Sequence, residues 1–126
     1  MIEALFSDSN YVAAKRMMDV TVLRHEAIAS NLANIETPNY KRVDVSSTFE
    51  SQLQQAVASR DPEQIANVQP TLTVDSRAVS GRNDGNTVQL ETELMKMNQN
   101  IVEDALETEL VTNHLATMRL AITGKS

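Results

Sequence analysis

The chain contains no cysteine and no tryptophan, and its aromatics are two Tyr and two Phe among 126 residues. Without cysteine there is no disulfide, no thiolate nucleophile and no zinc–thiolate site. With so few rings, aromatic side chains cannot anchor a thick globular interior. Glycine and proline number three each, which disfavours an all-β sandwich with many tight turns. No apolar run approaches the roughly 20 residues that span a bilayer. Residues 1–8 carry acids and no basic n-region, so they do not read as a cleavable secretory signal. The net charge of −6 argues against nonspecific nucleic-acid binding, which needs clustered cations.

What remains fits one elongated, mainly α domain that completes its core by association, with six Met suited to adaptable helix contacts. Ser7, Asp8 and Ser9 can cap a helix starting near Ser9 or Asn10. Its apolar positions step in heptads: Tyr11, Met18, His25 and Leu32 on one seam position, and Ala14, Thr21, Ile28 and Ile35 on the other. That predicts an amphipathic helix of about 25 residues, roughly 38 Å long. A second long helix is predicted from about Thr87–Leu90 to Thr123, capped by Asn86 or Thr87 and ended by Gly124. Its seam is read as Leu94, Ile101, Leu115 and Ile122, with Met97, Val111 and Met118 on the partner position. Val102, Leu106, Leu110 and Leu120 add apolar surface beyond that seam. Pairing the two helices as a coiled-coil-like bundle buries both. The cations Lys15, Arg16 and Arg24 on the first and the acids of the second help to set register.

Between them lies a small irregular middle region. Val43 and Val45 alternate as a short strand would, and 71–74 has β character. Ser47 and Glu50 have capping-box spacing ahead of a helix over 48–59. Asp61-Pro62 opens a shorter helix, and Pro70 ends it. The organisation is therefore residues 1–40, a helix and elbow; 41–86, a variable and partly flexible middle; and 87–126, the last helix.

No constellation of residues supports catalysis. His25-Glu26 lacks the second histidine of a zinc helix, because Ala29 stands there. Asp84, Gly85 and Glu91 match three positions of a calcium loop, but Arg82 would occupy a ligand position. No glycine-rich phosphate loop exists. The chain is read as a non-enzyme with no cofactor, no metal and no small-molecule substrate.

The most informative stretch runs Asn31-Leu32-Ala33-Asn34, then Thr37-Pro38-Asn39-Tyr40-Lys41. Pro38 stops the helix, Asn34 suits its C-terminal cap, and Asn39 suits a left-handed turn position. On residues alone this is a helix stop with a surface turn. The pattern also resembles the N-terminal signature of the bacterial flagellar rod and hook family, with Asn39 where that family usually has glycine. The chain length and Asp84–Glu91 resemble the proximal rod type within it. The resemblance implies a structural rod subunit whose terminal helices self-assemble into an axial drive shaft and export conduit. It makes Asn31, Leu32, Ala33, Asn34, Thr37, Pro38, Asn39 and Tyr40 an assembly motif. The implied partners are other copies of itself, other rod proteins, junction proteins of the membrane ring and export gate, and the type III export apparatus. The implied place is the basal body, in the periplasmic space, reached without signal cleavage. Two alternatives stand beside it: another axial protein of that family, and a cytoplasmic helical adaptor.

Overall fold

The computed structural model describes residues 9–124. Helix α1 spans Ser9–Ala33, strand β1 Val43–Val45, α2 Ser47–Ser59, α3 Pro62–Asn67, β2 Leu72–Val74 and α4 Leu90–Thr123. The fold is mainly α, as the composition and periodicity imply. Two long terminal helices pack together; β1 meets the elbow end of α1 at Asn31, while α2 and α3 pack along its middle and N-terminal half, at Val12, Ala13 and Val20. Ser7 and Asp8, read as caps, lie outside the described residues.

Alpha1 and α4 run antiparallel. Tyr11 stacks on His114 with ring centroids 5.1 Å apart. Thr21 Oγ1 reaches Asp104, Asn100 Nδ2 donates to the Thr21 carbonyl, and Asn31 meets Glu93. Arg24 donates to Glu103 at 2.6 Å, whereas Arg16 pairs with Asp19 on its own helix and Lys15 lies over the Tyr11 ring, so of the three cations Arg24 is the one seen to meet an acid of α4. That half-exposed pair contributes about 0–1 kcal/mol, and packing must supply the rest.

A second face of α1 carries the tightest apolar cluster. Val20 joins Phe49, Leu53, Ala56 and Ile65, with Val12, Ala13, Val45 and Val68 packed against them. The middle region thus borrows α1 for a core it could not build alone. Local signals in this region act as chemistry dictates. Asp61 caps α3 by accepting from the Glu63 N–H, and Pro62 takes the first turn, where no N–H is needed. At α2 the cap is Ser46 rather than Ser47, because Ser46 holds a non-helical backbone, with ψ 131°, and its side chain accepts from the Thr48 N–H.

The two strands pair antiparallel, with Val43 opposite Val74 and Val45 opposite Leu72. Hydrogen bonds from Ser46 N to Thr71 O and from Asp75 N to Arg42 O extend the ladder beyond each end.

Alpha4 starts at Leu90 without a side-chain cap. Asn86 and Thr87, read as its caps, are buried and committed elsewhere. At the other end Gly124 adopts φ 68°, and its N–H returns to the Leu120 carbonyl, closing the helix as expected.

Candidate assembly site

Alpha1 cannot continue past the residues before Pro38, and the elbow is built from its last turn. The Asn34 side-chain amide donates to the Ser30 carbonyl, and the Asn34 carbonyl accepts the Thr37 N–H. Asn39 has φ 60°, the left-handed conformation that asparagine tolerates. Its N–H donates to the Asp84 carbonyl at 2.8 Å. Gly85 passes so close that a Cβ there would lie 2.5 Å from Asn39 Oδ1. Lys41 Nζ reaches the Gly85 carbonyl, Thr87 N–H the Tyr40 carbonyl, and Arg42 N–H the Thr87 hydroxyl. Arg82 also donates to the Ile35 carbonyl. The loop before α4 therefore grips the elbow along its length.

Asn86 is the centre of that grip. It is 1% exposed, and its amide nitrogen serves the carbonyls of Asn34, Ile35 and Thr37, in the turn that follows α1. Its amide oxygen accepts the Val88 N–H.

The next layer is ionic. Asn31 is fully buried and acts like a neighbouring strand: its amide brackets Val43, donating to the carbonyl and accepting the N–H, both at 2.9 Å. The same nitrogen donates to Glu93 Oε2, and Arg42 Nε donates to Glu93 Oε1 at 2.7 Å. Arg42 also pairs with Asp75 at 2.6 Å and Asp44 at 3.3 Å. Burial works against the Arg42 charge. The Glu93 hydrogen bond and charge, with Asp75 and Asp44, outweigh it and hold the guanidinium above its ordinary value. Tyr40 is half-buried, with its hydroxyl 3.0 Å from Ser30 Oγ and 3.4 Å from Asn31 Oδ1.

Of the motif residues, Asn31, Asn34, Thr37, Asn39 and Tyr40 are brought together by these bonds. Leu32 is half-buried and Ala33 exposed, while Thr37, Pro38 and Asn39 form an exposed rim. Sequence reasoning missed Arg42, Asn86 and Glu93, because each gains its role from a partner far along the chain.

The Glu93 lock also sets the phase of α4. Asn100, Glu107 and His114 follow Glu93 at heptad steps, so fixing Glu93 inward turns them toward α1 as well. Glu93, Asn100 and Glu107 are buried. Met97 and Val111 are half-buried beside them and Met118 is buried, as are Ile28 and, in part, Met18 and Leu32 on α1. The other seam position is displaced. Leu94 is 40% exposed, Ile101 58%, Leu115 42% and Ile122 52%, with Val102, Leu106, Leu110 and Leu120 also exposed. Within one chain, then, the contact with α1 lies one residue before the apolar seam read from the sequence. A buried, charge-assisted network decides the phase against a row of leucine and isoleucine.

That choice leaves costs on the seam. Asn100 Oδ1, Glu107 Oε2 and His114 Nε2 are buried without hydrogen-bond partners. Burial and the neighbouring carboxylates of Glu103 and Asp104 push the Glu107 carboxyl up to about 7, against the Thr21 hydroxyl and Arg24, which pull it down.

A polar groove of about 600 Å³ lies between the sheet and the start of α4, lined by Arg42, Asp44, Asp75 and Lys96 among others. Its Arg42 is tied to Asp44 and Asp75, and its Lys96 to Asp44. Among the described residues no group of three or more histidines or acids is placed to hold a metal ion. Among the same residues no helix is long and apolar enough to cross a membrane.

No family model matches the chain. It is similar, nearly end to end, to three proteins named flagellar basal body rod protein FlgB. The one from Borrelia hermsii is 29% identical, covering 86% of this chain and 92% of the relative. That from Borreliella burgdorferi is 27% identical over 85% of this chain and 90% of the relative. That from Aquifex aeolicus is 27% identical over 89% and 91%. The likeness to these three proteins thus covers 85–89% of this chain.

Proposed function

We propose that the chain is a structural subunit of the bacterial flagellar basal-body rod, of the proximal type, and that it works by assembly rather than by catalysis. The observation that carries this reading is its likeness, over most of its length, to three FlgB rod proteins. The geometry supplies a surface for it. One face of α4, from Leu94 through Ile101 and Leu115 to Ile122, is apolar and uncovered. Covering such side chains yields up to about 1.5–3 kcal/mol each, an ample driving force for a subunit interface. The neighbours are further copies of the chain and other rod proteins, stacked by heterologous contacts that do not close on themselves. The exposed rim Thr37-Pro38-Asn39 is a second contact, shaped by the bonds that hold the elbow. The tube so built transmits torque and conducts exported subunits in the periplasmic space.

Leu115→Asp tests this. A charge on the apolar face is costly to desolvate. The variant subunit should be made at the native level in cells lacking the native protein, yet fail to copurify with basal bodies. Native rods and native motility in those cells would contradict the reading, as would finding the unaltered chain only in the cytosol.

A further inference from the structure

The two-stranded sheet treats its two edges differently. Bonded pairs in the ladder fall on alternate residues: Ser46 with Thr71, Arg42 with Asp75 and, between them, Asp44 with Thr73. Val43 and Val45 therefore turn their N–H and C=O groups away from β2, and Leu72 and Val74 turn theirs away from β1. The β1 edge is closed. Asn31 takes both groups of Val43, and Asp44 Oδ1 accepts the Val45 N–H. The β2 edge is open. Among the described residues nothing bonds to the outward groups of Leu72 or Val74, and Thr71, Thr73 and Val74 are exposed. Residues 71–74 carry no charge, the usual guard of such an edge. A sheet of two three-residue strands is also marginal by itself, and gains from further strands.

We infer that β2 is a docking edge for a second copy of the chain, which adds its own β2 antiparallel and makes one continuous four-stranded sheet. One register uses every outward group. Leu72 faces Val74 of the copy and Val74 faces its Leu72, so that the N–H and C=O groups of both are paired about a two-fold axis. Thr73 then stands beside Thr73 of the copy, a favourable cross-strand pair, and Asp75 lies opposite Thr71, so no like charges meet. Sliding the pair to centre on Leu72 would set Val74 against Pro70, which has no N–H to give. Centring it on Val74 would need Ser76, which has left the strand for the turn closed by the Ala78 N–H on the Asp75 carbonyl. A two-fold contact closes on itself, so it makes a pair and not a filament. It uses neither the α4 stripe nor the elbow rim, and stands apart from the stacking contacts proposed above.

The chain has no cysteine, so Thr73→Cys supplies its one thiol. In the inferred pair the two Thr73 Cα atoms stand about 4.5 Å apart, within reach of a disulfide. Thr71→Cys, also exposed, would stand about 13 Å from its counterpart along the strand and cannot bridge to it. In a glutathione redox buffer, Thr73→Cys should therefore give a disulfide-linked dimer and Thr71→Cys should not. Adding Leu115→Asp should leave that cross-link unchanged, because the edge does not use the stripe. In the same Leu115→Asp chain, Thr73→Lys and Thr73→Glu set like charges side by side across the two-fold. Each should stay monomeric in sedimentation at concentrations where their equimolar mixture forms dimers. Equal cross-linking of the two cysteine variants overturns the inference, as does loss of the Thr73 cross-link in the Leu115→Asp chain. So does a mixture no more associated than either charged variant alone. The stacking reading is untouched by these outcomes, since its own test reads the basal body.

Discussion

The amide nitrogen of Asn31 lies 3.2 Å from Glu93 Oε2, and neither side chain has measurable exposure to solvent. This contact joins the first helix to the last, and through Arg42 it reaches both strands. The elbow motif is therefore first an internal device. It fixes how α4 leaves the loop and which face of α4 meets α1. What the chain offers to neighbours follows from that phase.

Asn31→Ala should unfold the elbow end. It removes two bonds to Val43 and one to Glu93, leaving buried groups unpaired. Loss of a partner from a buried ionic network costs on the order of 3 kcal/mol. Asn31→Asp should cost more, since it sets a second carboxylate against Glu93. Urea unfolding followed by circular dichroism checks both, with destabilisation below about 0.5 kcal/mol in either variant counting against the network.

Gly85 and Asn39 give a paired test of the turn. Gly85→Ala should destabilise by about 1–3 kcal/mol, because φ is +76° and the new Cβ would meet Asn39 Oδ1. Asn39→Gly should fall within about 1 kcal/mol of the parent, since glycine keeps positive φ available. Asn39→Val should behave like the Gly85 variant, a β-branched residue being strained there. Melting temperatures of the three variants decide the matter. Equal values for Asn39→Gly and Asn39→Val would mean the left-handed turn is not required.

Glu107 predicts a pH dependence with a definite sign. Its carboxyl titrates near 7 in the folded chain, against 4.5 ordinarily. Between those values the folded chain holds a proton that the unfolded chain has lost. Glu107 therefore makes stability fall as pH rises from about 4.5 to about 7, by a total on the order of 2–3 kcal/mol, and level off above. Glu107→Gln carries no charge and should remove that fall. Unfolding free energies of parent and variant at pH 5, 6, 7 and 8 should diverge upward through this window, with the variant the more stable at pH 8. Parallel curves would show that Glu107 ionises freely.

Much of the architecture was legible because its causes are local. Pro38 and Gly124 end helices, Asp61-Pro62 starts one, and Asn39 takes the positive φ, each through covalent geometry or a neighbour two or three residues away. The pairing of the terminal helices was legible from heptads. The phase of that pairing was not. In the sequence Glu93 looks like one more acid on a solvated face, and only the fold brings Arg42 and Asn31 to it. Once it turns inward, helix periodicity takes Asn100, Glu107 and His114 with it and leaves Leu94, Ile101, Leu115 and Ile122 outside. Asn86 was likewise read as a helix cap, whereas it holds the turn that follows a different helix, some fifty residues earlier. The strand pairing was hidden for the same reason: three-residue strands carry little periodicity, and their register is set by Ser46, Arg42 and Asp75 at the flanks.

The central claim is that the outward stripe of α4 is an interface between subunits. Because the chain has no cysteine, Ile101→Cys and Leu115→Cys each place one reporter thiol on that stripe. The measurement is the rate of labelling by a water-soluble maleimide, in the dilute chain and in basal bodies purified from cells that carry only the variant. The account predicts ready labelling in the dilute chain, where both positions are exposed, and strong protection in the basal body. Equal labelling rates in the two states, with the variant present in intact rods, would contradict it.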